Sequence, residues 1–329
     1  MIGIVHVGLG PLGRRVVRYA LERKGLTLVG AVDVDPAMVG KDVGTFCGAR
    51  RLGIAVAPDV QSVLGRKKAD VAVLTTVSDL KRIESQIAEL ARAGLNVVST
   101  CEELSYPWRT APRIAKRIDA TCRRCGVTCL GTGVNPGFLM DYLPAVMSGV
   151  CRNVRKVIVE RVQDASVRRI PFQQKIGAGL TAAAFRRKKA EGALRHVGLP
   201  ESVHMIAAAV GWRLTKVTES LRAVKARKRT TTGYMPIAPG MARGVEQFGR
   251  GFVGKREVIK LHFRAAVGEP ESFDRIRILG EPNIESTIEG GVNGDIATCA
   301  VALNAIPRVL AAEPGLKTML DLAPPVCAT

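Results

Sequence analysis

Ile2 to Val7 is a short, mostly β-branched apolar run, and it ends directly on Gly8-Leu9-Gly10-Pro11-Leu12-Gly13. No other stretch constrains the fold of this chain as tightly. A buried parallel strand that empties into glycines spaced G-x-G-x-x-G, followed by a helix, is the fingerprint of a dinucleotide-binding unit. Gly8 permits the tight turn, Gly10 lets a pyrophosphate come close to the backbone, and Gly13 lets the helix pack on the strand. Pro11 suits the first helical position because its missing N–H is not needed there. The helix N-terminus that Pro11 and Leu12 open would face the anionic pyrophosphate. A second strand over 27–32 ends in Asp33, twenty residues past Gly13, where an acidic side chain can accept the adenosine ribose hydroxyls and repel a 2′-phosphate. NAD is therefore expected, with NADP also acceptable because Arg14 and Arg15 lie nearby.

The rest of the N-terminal part repeats the rhythm. Helices are expected over 11–24, 79–93 and 107–125, and strands over 71–75, 96–99 and 127–130, with a short apolar stretch at 54–57. Alternation on this scale means an α/β fold with a Rossmann-type, doubly wound parallel sheet. The texture changes at Asn135-Pro136-Gly137. Beyond it, long alternating runs over 155–162, 257–264 and 273–279, interrupted by helices near 181–191 and 201–211, predict an α+β second domain with an open, mostly antiparallel sheet. Residues 230–251, rich in Gly and Thr, read as loop. An apolar helix over about 295–312 is expected to pack on the first domain. The domains are then 1–134 for the dinucleotide, 135–294 for substrate and dimerisation, and 295–329 for the returning helix and tail.

The formal charge is +20, with an excess of +8 over residues 1–134 and +12 over 135–329. Spread over both halves, and with no aromatics interleaved in Arg186-Arg187-Lys188-Lys189 or 225–229, it reads as solvated surface and not as a nucleic-acid site. No apolar run could span a bilayer, and a chain that opens on a strand leaves no room for a signal segment, so no membrane partner and a cytoplasmic setting are expected. Cys122, Cys125 and Cys129 have the spacing C-x2-C-x3-C but no fourth ligand beside them. Placed where a helix runs into a strand, they should point in different directions, and no metal is expected.

Ligands of doubly wound sheets bind beyond the carboxyl ends of the strands. The loops there carry Thr75-Thr76, Thr100-Cys101-Glu102-Glu103 and 131–136 ending in Asn135-Pro136. Glu102 and Glu103 are adjacent, so only one should face a ligand. A carboxylate in that place could take a proton and hold a cationic iminium or ammonium; alternatively, the pair simply opens a solvated helical turn.

The segments 97–107 (VVSTCEELSYP), 131–138 (GTGVNPGF), 164–179 (DASVRRIPFQQKIGAG), 294–298 (GDIAT) and 314–322 (PGLKTMLDL) resemble the 2,4-diaminopentanoate dehydrogenase family and the native amine dehydrogenases related to it. The resemblance runs over nearly the whole chain. It implies a dihydrodipicolinate reductase-like fold and reversible NAD(P)-dependent oxidative deamination of a primary amine to a ketone and ammonia. It also implies a catalytic carboxylate at Glu102, with Glu103 as the fallback, and Asn135 beside the nicotinamide carboxamide. Thr100 and Cys101 would then flank the cofactor, and Phe138, His196 and Thr298 would line the substrate pocket with Asn135. Arg168, Arg169 and Lys175 could bind a substrate carboxylate or could be surface charges. Two other readings stay open: a cyclic imine reductase of the dihydrodipicolinate reductase type, and a dinucleotide-binding protein without turnover. An open sheet needs its far face covered, and self-pairing into a homodimer is the simplest solution.

Overall fold

Strands that are apolar at nearly every position need cover on both faces, and most strands of the N-terminal half are of this kind. The computed structural model describes residues 1–64, 68–168, 170–194 and 196–327. The chain divides into two units, Met1–Phe138 with Asn293–Thr329, and Leu139–Val292. The first unit opens with β1 (Ile2–Val7), α1 (Pro11–Leu21), β2 (Leu26–Val32), α2 (Val43–Phe46), β3 (Val56–Ala57) and β4 (Val71–Leu74). It continues with α3 (Leu80–Arg92), β5 (Asn96–Ser99), α4 (Pro107–Thr110), α5 (Pro112–Cys125) and β6 (Thr128–Gly131). The second unit holds α6 (Tyr142–Met147), β7 (Asn153–Asp164), α7 (Ile170–Lys175), α8 (Ala182–Ala190), α9 (Leu199–Ala209) and β8 (Lys216–Lys225). After the short pair β9 (Thr230–Thr231) and β10 (Pro236–Ile237) come β11 (Ala242–Val253), β12 (Arg256–Ala266), β13 (Phe273–Glu281) and β14 (Ile284–Glu289). The chain then returns to the first unit with α10 (Gly294–Leu310) and β15 (Gly315–Lys317).

The first unit is a seven-stranded sheet in the order β15-β6-β5-β4-β1-β2-β3, and every pairing in it is parallel. Its helices cover it in two pairs, α1 beside α10 and α3 beside α5. Leu80, Ile83, Ile87 and Leu90 of α3 and Ile118 and Cys122 of α5 bury against Val97 and Cys129 of the strands. The apolar helix expected at 295–312 does pack within this unit. The segment after it was not expected to be a strand, yet Gly315–Lys317 adds to the sheet beside Thr128–Leu130. One expected helix, 107–125, is two: Pro112 lacks an N–H and drives Ala111 to φ −144°, so the helix restarts.

The second unit is a six-stranded sheet in the order β14-β13-β7-β12-β11-β8, antiparallel throughout except for the parallel pair β7–β12. Residues 230–251 are not the loop their composition implied, because β9 and β10 lie within the stretch and β11 begins at Ala242. Its glycines are there for close approach. A Cβ on Gly251 would stand 2.9 Å from Val203 of α9, and one on Gly244 only 2.1 Å from the Ala265 carbonyl oxygen. Arg161 is 2% exposed, bonds Asp274 at 2.7 Å and gives a second N–H to the Val292 carbonyl at 2.8 Å. Asp274 in turn accepts the Val292 N–H at 2.7 Å. Among the described residues no helix is long and apolar enough to cross a membrane.

The glycine contacts make a test. Gly244→Ala forces a methyl against backbone and is expected to cost about 2 kcal/mol in urea unfolding. Gly149→Ala, where an added Cβ meets nothing within 4 Å, should stay within about 0.5 kcal/mol of the parent.

Candidate active site

The glycine loop is built from three different steric demands. Gly8 has φ +94°, and a Cβ on it would lie 2.8 Å from Thr76 Cγ2. A Cβ on Gly13 would lie 1.9 Å from the Gly8 carbonyl oxygen, so no other residue lets α1 sit so close to β1. A Cβ on Gly10 would meet no protein atom within 4 Å. The space kept clear at Gly10 thus opens outward, toward a ligand. Gly10 is also the N-cap of α1 and offers no side-chain hydrogen bond; Pro11 follows, and no acidic residue lies in the first turn. The positive end of the helix is left for an external anion. These features fit the pyrophosphate of a dinucleotide.

Beyond the loop lies a cavity of about 510 Å³, and Gly8, Gly10, Asp33, Thr75 and Thr76 all line it, with Arg82 and Gln86 of α3 across from them. Asp33 Oδ2 accepts the Leu9 N–H at 2.6 Å and Oδ1 accepts the Asp35 N–H at 3.0 Å, which fixes the carboxylate at the end of β2. The Thr75 hydroxyl donates to the Gly8 carbonyl at 2.8 Å, and Thr76 Oγ1 bonds Gln86 at 2.6 Å. Leu12 and Gly13 form the start of α1. The Arg14 guanidinium lies 4.9 Å over the Phe46 ring.

Sequence reasoning passed over His6. It read as one position in an apolar strand, but its Nε2 lies 3.0 Å from the Gly8 carbonyl and 3.1 Å from Thr75 Oγ1. Its only signal was a histidine inside a buried strand two residues before the first glycine. Burial pushes its pKa down from 6.5 to about 4, more than the Gly8 bond and the nearby Asp33 raise it.

The second group of candidate residues gathers at the carboxyl ends of β5 and β6. Thr100 N–H bonds the Leu74 carbonyl at 3.1 Å, and Cys101 N–H bonds Ser99 Oγ at 3.1 Å. Glu102–Leu104 is a single 3-10 turn whose buried Leu104 packs where a Cβ on Gly131 would otherwise stand, 2.5 Å away. Glu103 Oε2 accepts the Leu80 N–H at 2.9 Å, at the start of α3, while the half-buried Glu102 is held by its backbone carbonyl, which takes both the N–H and the hydroxyl of Ser105. Burial first, and then the neighbouring Glu102, push the Cys101 thiol far above the usual range, so it stays protonated.

Thr298 Oγ1, in the first turns of α10, accepts the Val134 N–H at 3.4 Å and so joins the helix to the 131–137 loop. Asn135 is buried in that loop and Phe138 half-buried beside it. Thr132 Oγ1 is buried with no hydrogen-bond partner among the described residues, a polar orphan that a ligand or water would satisfy.

His196 belongs to the second unit. There Gln247 clamps its backbone, accepting its N–H at 2.8 Å and donating to its carbonyl at 2.9 Å, and its ring stacks on Phe263 at 4.4 Å. Arg168 lies 4.1 Å over Phe172 and donates to Gln163 at 3.1 Å; Lys175 ends α7; Arg169 lies outside the described residues. The cysteines do not all diverge: Cys122 of α5 and Cys129 of β6 share a hydrogen bond, which holds Cys129 above the usual thiol range together with its burial. Helix and strand here face each other across the core, bringing together positions that the spacing alone set apart.

The buried His6 predicts a pH dependence. Its folded pKa lies below its unfolded value, so the stability it preserves is complete above about pH 6.5 and is lost as pH falls toward 4. Between pH 7 and pH 5 the wild type should lose about 2 kcal/mol more than His6→Gln in urea unfolding. Equal losses in the two proteins would refute the effect.

Residues 138–329 match the family described as 2,4-diaminopentanoate dehydrogenase C-terminal domain, and residues 2–101 match dihydrodipicolinate reductase, N-terminus. The chain is 33% identical to a 2,4-diaminopentanoate dehydrogenase of Acetoanaerobium sticklandii, over 98% of this chain and 94% of that protein. It is 26% identical to an amine dehydrogenase of Streptomyces virginiae, over 98% of this chain and 96% of the relative. The solved structure of an amine dehydrogenase from Mycobacterium smegmatis superposes with a TM-score of 0.87 at 26% identity, covering 99% of this chain and 97% of that one. With a dinucleotide-binding Rossmann unit, a mixed second sheet and similarity along its whole length, the chain belongs to the 2,4-diaminopentanoate dehydrogenase family.

Proposed function

We propose that the protein is an amine dehydrogenase that interconverts a primary amine with a ketone and ammonia, using NAD in preference to NADP. The observation that carries this reading is the acidic turn at Glu102 and Glu103, on the same sheet edge as the glycine loop, in a chain 33% identical to a 2,4-diaminopentanoate dehydrogenase. That relative's name makes a 2,4-diaminopentanoate-like amine the first substrate to try. In deamination, substrate ammonium, oxidised dinucleotide and water become ketone, free ammonium, reduced dinucleotide and one proton. The nicotinamide, when bound, supplies the hydride acceptor in this direction and the donor in reverse.

Glu102 is the residue to which we assign the proton. Its carboxylate takes a proton from the substrate ammonium, freeing the nitrogen lone pair that drives departure of the hydride. That proton, the one released in the balance, then passes to solvent, and the restored carboxylate stabilises the cationic iminium until water adds. The engagement of Glu103 with the N-terminus of α3 supports Glu102 as the base, with Glu103 as the residue that holds the turn. The loop bearing Asn135 and the orphan Thr132 hydroxyl offers polar groups to a carboxamide, and Phe138 an apolar wall. Asp33, lining the cavity with its oxygens already oriented, supports NAD, because a 2′-phosphate there would meet a carboxylate. Eight free cysteines suit a reducing compartment such as the cytoplasm.

The second sheet supports a homodimer. Alternation along β11 turns Gly249 and Gly251 toward α9, which leaves Phe248 and Arg250 on the other face. There the half-buried Phe248 stacks on His262 at 4.6 Å, with Arg222, Arg250 and Lys260 around its ring. Light scattering should give twice the 35.2 kDa chain mass; a monomer would remove this part of the reading.

The activity is tested by incubating purified protein with NADH, ammonium and a panel of ketones that includes 2-amino-4-oxopentanoate. NADH oxidation should require both ketone and ammonium, and NADPH should be the poorer donor by kcat/KM. Ammonium-independent oxidation would favour a cyclic imine reductase. Glu102→Ala should lower kcat by about 10²- to 10⁴-fold while NADH still binds, whereas Glu103→Gln should mainly lower thermal stability. Undiminished turnover in Glu102→Ala would overturn the assignment.

A further inference from the structure

We propose that His6 is a positioning residue for the dinucleotide, acting through the Gly8–Leu9 peptide on Asp33. The inference rests on the reading of the glycine loop and its cavity as the dinucleotide site, and goes beyond it by assigning a residue that would touch no ligand.

His6 is 1% exposed, in the middle of the sheet. A carbonyl oxygen only accepts, so the Nε2 nitrogen 3.0 Å from the Gly8 carbonyl carries the ring proton and donates it there. Nδ1 is then the bare nitrogen, buried with no hydrogen-bond partner among the described residues. Burial keeps the ring in this neutral form. Thr75 gives its hydroxyl proton to the same carbonyl oxygen at 2.8 Å, so the oxygen receives two donors from one side.

The N–H of that same peptide unit, on Leu9, donates to Asp33 Oδ2 at 2.6 Å. The Gly8–Leu9 peptide is thus pinned at both ends, by His6 and Thr75 at the oxygen and by Asp33 at the nitrogen. Through it the imidazole sets two things at once: the path of the loop past Gly10, and the direction of a carboxylate that lines the cavity. Gly13 takes part in the same arrangement. A Cβ there would stand 2.7 Å from His6 Nε2 as well as 1.9 Å from the Gly8 oxygen. A purely structural requirement at this point of an aliphatic strand would be met by an apolar residue at no cost in polar desolvation.

The test is a fluorescence titration of NADH into full-length wild type, His6→Phe and His6→Gln, with KM, kcat and melting temperature measured on each. Phenylalanine fills the slot but cannot donate. Loss of one hydrogen bond to a buried acceptor should raise the NADH Kd and KM about tenfold, with kcat at saturating NADH within about twofold of wild type. Glutamine, whose amide nitrogen reaches about as far as Nε2, should restore most of the affinity. A folded His6→Phe protein with reduced melting temperature but unchanged NADH Kd would overturn the proposal and leave His6 a packing residue. Should His6→Phe not fold, His6→Leu removes the donor with a smaller apolar side chain; a raised Kd supports the proposal and an unchanged one overturns it. Wild type that binds neither NADH nor NADPH would instead overturn the dinucleotide reading of the site, and this inference with it.

Discussion

Everything in the first unit hangs on how close α1 comes to β1. The helix approaches until only a hydrogen atom fits between Gly13 and the carbonyl of Gly8. That closeness aims the uncapped helix end at the space above Gly10 and brings Leu9 down to zero exposure beneath the loop. It also puts Thr75, at the end of a different strand, within reach of the loop's own backbone. A larger residue at Gly13 would tilt the helix away and undo the loop, the Asp33 contact and the cavity together. The proposed dinucleotide site is therefore a property of packing first and of individual side chains second.

Legibility in the sequence follows the range of the interactions. The β1–loop–α1 unit was readable because its demands are local: a buried strand, a turn that only glycine makes, a proline at the first helical position. The helix Leu80–Arg92 was readable for the same reason, with Asp79 capping it. The edge strands β8 and β14 were not, because each has only one neighbour and half-exposed faces, which leaves little apolar alternation to detect. β11 was obscured by a different effect. Glycine in a loop and glycine under a packed helix look alike in one dimension, and only α9 overhead distinguishes Gly249 and Gly251 from turn residues. At the site, adjacency implied that only one of Glu102 and Glu103 would face a ligand, but the bond of Glu103 to α3 depended on Leu80, more than twenty positions away. His6 was hidden for a related reason: Thr75, which shares the Gly8 carbonyl with it, comes near only once β1 and β4 are paired.

The two units use charge in different ways. In the second, a basic surface is held together by ion pairs along the sheet, and one pair is carried inside. Arg161 and Asp274 together cost desolvation that an apolar pair would avoid, yet they grip both polar groups of the Val292 backbone where the chain leaves the sheet. In the first unit the carboxylates of Asp33 and Glu103 accept backbone N–H groups, two at Asp33 and one at Glu103, and so gain a fixed direction. Directional acids on the sheet's carboxyl edge, and a clamp on the segment before α10, both serve to keep polar groups from wandering.

The first unit is discontinuous: residues 139–292 intervene between its β6 and its α10. A ribosome therefore releases six of its seven strands long before the last helix exists. Until then the apolar surface that α10 will cover, beside α1 and along β4, β5 and β6, has nothing to lie against it. Strand β15 and the Thr298 contact with the 131–137 loop come later still or at the same moment. The inserted unit, whose chain is uninterrupted, can finish first, so the order of assembly during synthesis is middle before ends. A chain halted near Val292 would hold a completed second sheet and an open first one. The final thirty-odd residues, last in the sequence, are the piece on which closure of the nucleotide-binding half waits.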